Sequence, residues 1–274
     1  MKLNTLAATL VAAAGFLAST MASATIVQID PDGAGSDPAV AIRQFSLTPS
    51  QDYSIQLNLG ADGIFNSGDT FSETINYSVF SVKNPVGSTI VPAGITNFTV
   101  QATLSGFVTG VSGPIAAGAS ISNILADTFG ITFNPGGSVL FKNSSANGGL
   151  GGVVATAVVL DGGSTGFTFQ NSTPTLQFGV DALFTSIDDN YFRDSSGNPL
   201  STYLPLLFGV ADASANLQSV AFTDPSLTQV AVTVSDNGGT ASINIPEPTS
   251  VALVGVALLG LGLSGRRLKA KKSA

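Results

Sequence analysis

Apolar and polar residues alternate with a period of two along much of this chain. Tyr53, Ile55, Leu57 and Leu59 interleave with Ser54, Gln56 and Asn58, and Phe71, Ile75, Tyr77 and Val79 with Ser72, Thr74, Asn76 and Ser78. Phe98, Val100, Ala102 and Leu104 alternate with Thr99, Gln101, Thr103 and Ser105. A period of two marks a strand with one face in the core and one in water. Val40 and Ile42 change parity to Phe45 and Leu47, which predicts one strand with a bulge near Arg43 and Gln44. The apolar run at 153–160, with Thr156 its one polar residue, predicts a strand covered on both faces. Pro135-Gly136-Gly137 and Asp236-Asn237-Gly238-Gly239 each lie between two strand patterns and predict hairpin turns. The reading is all-β: about a dozen short strands in a single antiparallel β-sandwich, with a β-barrel as the alternative.

Two stretches break the pattern. Residues 1–24 join a positive start at Lys2 to an apolar run at 3–17 and the small residues Ala22-Ser23-Ala24. That is a secretory signal peptide, with cleavage expected after Ala24. At the other end, Pro246-Glu247-Pro248 precedes an apolar run at 249–265, then Arg266, Arg267, Lys269, Lys271 and Lys272. A helix over that run is about 25 Å long, slightly short of a typical hydrocarbon core. The cations after it hold that end in the cytoplasm and place the preceding chain outside. The expected organisation is therefore a signal peptide at 1–24, one β domain at 25–245 and a sorting tail with a transmembrane helix at 246–274.

The ordered set of Pro-Glu-Pro, short apolar helix and basic cluster resembles the PEP-CTERM sorting tail of Gram-negative bacteria, with Ile245 where the family usually has Val. The resemblance covers only about the last thirty residues. It implies recognition by a membrane transpeptidase of the exosortase type. Pro246, Glu247 and Pro248 would form the recognised motif, and Arg266 and Arg267 the stop-transfer flank. It also implies secretion across the inner membrane, a helix-anchored stage, and delivery to the outer surface or extracellular matrix, where such proteins are commonly associated with exopolysaccharide.

Charge sharpens the class. The whole chain has a net charge of -7, yet six of its ten basic residues lie in the two end segments. Residues 25–245 keep Arg43, Lys83, Lys142 and Arg193 against sixteen acidic residues, a net charge of -12. Such a surface repels nucleic acid. The chain has no Cys and no His. Disulfides, thiol nucleophiles, the usual zinc ligand sets and imidazole acid–base catalysis are excluded.

The candidate chemistry is carboxylate chemistry. Residues 58–69 follow the spacing of a calcium loop: Asn58, Asp62, Asn66 and Asp69 are candidate Ca²⁺ ligands and Gly63 takes the turning position. Gly60 departs from the pattern by offering no side chain. The competing reading is an ordinary Gly-Asp turn. Asp30, Asp32 and Asp37 form a second acidic turn, and Asp188 and Asp189 with Asp194 a third. Asn76, Asn97, Asn143 and Asn171 open Asn-X-Ser/Thr triplets, which a bacterial setting leaves without the eukaryotic reading. Glu73 shares the face of Phe71 and Ile75, and is expected at a strand edge or end open to water. The expected function is non-catalytic: association with exopolysaccharide or neighbouring cells in a biofilm or floc, tightened by Ca²⁺ between acidic loops. The alternative is a secreted carbohydrate-active enzyme using an Asp pair.

Overall fold

The alternating rows become eight long staves of an antiparallel barrel. The computed structural model describes residues 26–33, 39–49, 53–111, 129–160, 164–170, 173–224, 226, 228–236 and 238–245. The chain enters through β1 (Val27–Ile29) and β2 (Val40–Ile42), then forms β3 (Gln44–Pro49), β4 (Tyr53–Asn58), β5 (Thr70–Lys83), the short β6 (Thr89–Ile90) and β7 (Phe98–Val111). Next come β8 (Phe129–Phe133), β9 (Ser138–Asn143), a helical turn at Ala146–Gly149, β10 (Gly152–Val159), β11 (Ser164–Gln170) and β12 (Thr173–Ile187). The short β13 (Phe192–Asp194) precedes β14 (Leu206–Phe222), β15 (Gln229–Asp236) and β16 (Gly239–Asn244).

The expected all-β class holds, and of the two expected architectures the chain takes the barrel. Neighbouring staves follow the order β3/β4, β5, β7, β8/β9, β10/β11, β12, β14 and β15/β16, and the eight close when β15 pairs with β4 and β16 with β3. A sandwich leaves sheet edges open; here the last stave pairs with the first, which closes the barrel on itself.

The glycine turns do not make hairpins. β8 and β9 lie end to end along one edge of β7, with Phe133 opposite Gly106 and Ser138 opposite Thr103. The Pro135-Gly136-Gly137 segment therefore creases a stave without reversing it. β15 and β16 behave alike, running in line along β4 and β3. Gly238 makes that crease possible: its φ is +89°, and a Cβ there would lie 2.4 Å from the Leu47 carbonyl oxygen. Gly106 marks a second close approach, where a Cβ would meet the Thr132 oxygen at 2.0 Å and the Phe71 ring at 2.6 Å.

Two other expectations change. The 40–47 segment is not one bulged strand: β2 belongs to a small sheet and β3 to the barrel, with the break at Arg43, whose N–H bonds the Lys83 carbonyl at 2.8 Å. The 153–160 run is not covered on both faces, because Val153 and Val158 are 50% and 40% exposed. A bulge between Val153 and Ala155 lets Val154, Ala155, Ala157 and Val159 turn inward instead.

Inside, an eight-stranded barrel is just wide enough to be filled by side chains. Phe45, Phe98, Phe133, Phe141, Phe184 and Phe208 are among its fully buried members. On β5 the outward row is polar over most of its length: Thr70, Ser72, Thr74, Asn76 and Ser78. Apolar in and polar out is the reverse of a membrane barrel. Among the described residues no helix is long and apolar enough to cross a membrane; the expected transmembrane helix lies outside them. Glu73 differs from the expectation: it lies inside the barrel at 6% exposure, between Ile55 and Leu104 across the ladders, and it is not without a partner.

One end of the barrel is covered by the three-stranded sheet β13-β1-β2. Phe192 and Tyr191 of this cover meet Phe98 at ring-centroid distances of 5.9 and 6.1 Å, and Ile29 and Ile42 are buried beneath it. Asn143, fully buried at the end of β9, ties the cover down by donating from Nδ2 to the Pro31 carbonyl at 2.8 Å.

Candidate functional site

Each acidic turn can now be read as geometry. In the 58–69 loop, Asn58 Oδ1 accepts from the Gly60 N–H at 3.0 Å and Asp62 Oδ1 from the Ile64 N–H at 3.1 Å. Asn66 Nδ2 donates to Asp62 Oδ2 at 3.3 Å and to the Ile64 carbonyl at 2.9 Å, while Asp69 Oδ2 accepts from the Asn66 N–H at 2.7 Å. The four candidate calcium ligands thus close the loop on itself, and an amide N–H₂ rather than an amide oxygen faces the Asp62 carboxylate. Among the described residues no group of three or more acidic side chains is placed to hold a metal ion.

Asp69 is 8% exposed, and its pKa is raised by burial first and by the negative charge of Asp62, against the Asn66 N–H bond that lowers it. A carboxyl raised in the folded state contributes stability that is present below its unfolded pKa and lost as the pH rises through the folded value. Asp69→Asn keeps an acceptor for the Asn66 N–H and removes the charge. The variant is therefore expected to unfold at or above the parent's temperature at pH 7, and to lack the parent's gain as the pH falls toward the ordinary carboxylate range. Excess Ca²⁺ is expected to leave both melting temperatures unchanged; a rise in the parent alone would make the loop an ion site.

The other two acidic turns meet at the covered end of the barrel. Asp30 is buried at 3% exposure and accepts from the Gly33 N–H at 3.2 Å; Asp37 lies outside the described residues. Asp188 Oδ1 accepts from the Asn190 N–H at 3.0 Å, and Asp189 Oδ1 from the Ser201 N–H at 2.8 Å. Asp32 and Asp188 come together, with Asn147, Asn190 and Tyr191, in the walls of one cleft of about 470 Å³. Val153 and Val154 supply an apolar side, and no Lys or Arg is among the described residues that line the cleft. Tyr191 is 6% exposed, and its phenol is pushed up by burial first, then by the charges of Asp188, Asp32 and Asp30.

Of the Asn-X-Ser/Thr positions, Asn76 accepts from Gln101, Asn97 donates to Ser145, and Asn143 is the buried tie already described; Asn171 lies outside the described residues. The cleft and the Asn143 tie were not visible in the sequence, because each joins segments more than a hundred positions apart.

The signal-cleavage residues Ala22 and Ala24, and the tail residues Pro246, Glu247, Pro248, Arg266 and Arg267, also lie outside the described residues. Their assignment rests on comparison. The profile described as the PEP-CTERM protein-sorting motif matches residues 244–267. The chain carries a PEP-CTERM sorting motif. The match begins at Asn244, the last residue of β16, so only Ile245 separates the final strand from the Pro-Glu-Pro of the PEP-CTERM motif. The motif implies export, processing by an exosortase and sorting to the cell surface. No curated protein and no solved structure matches the chain.

Proposed function

We propose that this chain is a non-catalytic protein of the bacterial surface or extracellular matrix, acting in exopolysaccharide association and in biofilm or floc adhesion. The carrying observation is the PEP-CTERM motif at 244–267, directly following an acidic barrel whose outer wall is hydroxyl- and amide-rich. That wall is laced across strands. Lys142 Nζ donates to Gln101 Oε1 at 3.0 Å, and Gln101 Nε2 to Asn76 Oδ1 at 2.9 Å. The Thr156 hydroxyl meets those of Thr185 and Ser186 at 2.9 and 2.7 Å. Such a surface offers the hydrogen-bonding groups that polysaccharide hydroxyls use, with few cations to draw nucleic acid.

The test replaces Pro246, Glu247 and Pro248 together with Ala in the native host. The variant is expected to keep its tail, remain in the membrane fraction and fail to restore floc or biofilm mass to a strain lacking the protein. The parent is expected to lose the tail, as mass spectrometry would register, and to restore the mass. Identical processing of both chains, or of the parent in a host without its exosortase, would remove the sorting step from the proposal. A carboxylate-pair hydrolase remains the competing function, with Asp32 and Asp188 as the pair because they line one cleft. New reducing ends on incubation with exopolysaccharide, lost in Asp188→Asn, would favour it.

A further inference from the structure

The cleft at the covered end has features that a packing defect lacks. Tyr191 lines it while being 6% exposed, and its hydroxyl makes no hydrogen bond to any described residue. The ring is buried, but the hydroxyl is not among the buried polar atoms that lack a partner; it is open at the cleft. Here the Gly33 backbone lies against the ring, close enough that a Cβ would sit 2.4 Å from Cζ, and Phe98 packs edge-on against it with an interplanar angle of 90°. The ring is fixed between them, and its O–H can be reached from the cleft. Asn147 and Asn190, both exposed, bring amide groups to the same space, and the Asp188 carboxylate is held in place by the Asn190 N–H.

The ligand chemistry follows from what lines the space and what does not. Carboxylates, amides and a phenol accept and donate hydrogen bonds to hydroxyl groups, and the half-exposed Val153 gives a ring's C–H face something to lie on. The absence of Lys and Arg from the described lining, together with Asp32 and Asp188 in it, sets a negative field that rejects carboxylated or sulfated ligands and favours an amine. A volume of about 470 Å³ falls in the range of small-ligand sites. We propose that this cleft binds a neutral or amino-bearing sugar unit of a glycan, with Tyr191, Asp188, Asn190 and Asn147 as the recognising groups. This deepens the exopolysaccharide reading above and rests on it for biological setting, though not for the binding itself.

The experiment is calorimetric titration of the full chain in mild detergent with three β-1,4 or α-1,4 trisaccharides: of glucosamine, of glucose and of galacturonate. The expected order is glucosamine tightest, then glucose, with galacturonate unmeasurable. Tyr191→Phe removes one oxygen and Asp188→Asn one charge; each is expected to weaken glucosamine trisaccharide at least tenfold while the melting temperature stays put. Absence of binding by the parent, equal binding of galacturonate, or unchanged affinity in both variants would overturn the cleft assignment. Co-sedimentation with the host's own exopolysaccharide separates the two levels. If parent and variants pellet with it equally, the cleft proposal falls and the surface role stands. If the parent binds the trisaccharide yet does not pellet with the polymer, the surface role falls and the cleft stands.

Discussion

Phe141→Ala is expected to lower the stability of the folded chain by about 3–5 kcal/mol, the usual cost of emptying a buried Phe site. Phe141 is fully buried on β9 and touches four other rings: Phe208 at 5.0 Å, Phe184 at 5.5 Å, Phe45 at 5.9 Å and Phe192 at 6.1 Å between centroids. Those rings belong to β14, β12, β3 and β13, so one side chain joins three other staves and the cover sheet. The contacts with Phe208 and Phe192 are edge-to-face, at 84° and 88°, the arrangement in which ring quadrupoles attract. A hole at this point cannot collapse easily, because the staves around it are tied in a closed hydrogen-bonded ring. For a folded unit of this size, about 2–4 °C of melting temperature is lost per kcal/mol, so a drop on the order of 10 °C is expected. Urea unfolding would show a lower midpoint with an unchanged slope. Phe80→Ala is the control, since Phe80 is 48% exposed, and it should stay within about 0.5 kcal/mol of the parent. A Phe141→Ala loss no larger than the control's would mean that the aromatic cluster does not hold the barrel to its cover.

Phe141 also marks how far the sequence could be read. Its alternation with Leu140 and Lys142 is visible, and the inward parity of Val139 and Phe141 is what the structure has. The mistake lay in the neighbour. Pro135-Gly136-Gly137 suits a reversal and a crease equally, since a glycine at positive φ serves both, and only the presence of β7 alongside decides between them. The Asp236–Gly239 segment fails in the same way. Closure has still less local signature: Ala231 pairs with Gln56 across most of the folded chain, and nothing near either residue announces it. Glu73 is the opposite case: its period-two parity points inward, and the fold follows that parity against the general rarity of buried Glu. The sorting tail was legible because its signal is linear: a Pro-Glu-Pro tripeptide, an apolar run and a basic end in order. The cleft was legible only as separate acidic turns at 30–37 and 188–194, whose meeting is a property of the cover sheet.

One carboxylate holds the turn that ends the cover sheet, and acid is expected to loosen it. Asp194 ends β13 at 8% exposure. Its Oδ1 accepts from the Ser196 and Asn198 N–H groups at 2.8 Å each, and its Oδ2 accepts from Asn198 Nδ2 and from the Tyr203 hydroxyl, also at 2.8 Å. Burial alone would raise its pKa; the bonds from Asn198, Tyr203 and Ser196 outweigh that and hold it at about 2. A carboxyl lowered on folding contributes stability above its unfolded pKa, near 3.8, and that contribution is lost as the pH falls through about 2. Removing the acceptor in Asp194→Ala strands four donors around the turn that follows β13, at a cost of about 2–3 kcal/mol when several bonds to a charged group are lost together. The expected melting temperature at pH 7 is lower by roughly 5–10 °C. The sharper check is the acid limb. Between pH 4 and pH 2 the parent should lose stability more steeply than Asp194→Ala, and the two curves should converge as the carboxyl protonates. Tyr203→Phe removes one of the four bonds and should fall between them. Parallel curves over that range would show that the carboxylate does not hold the cover, and would shift the anchoring to Asn143 and the Phe98–Phe192 contact.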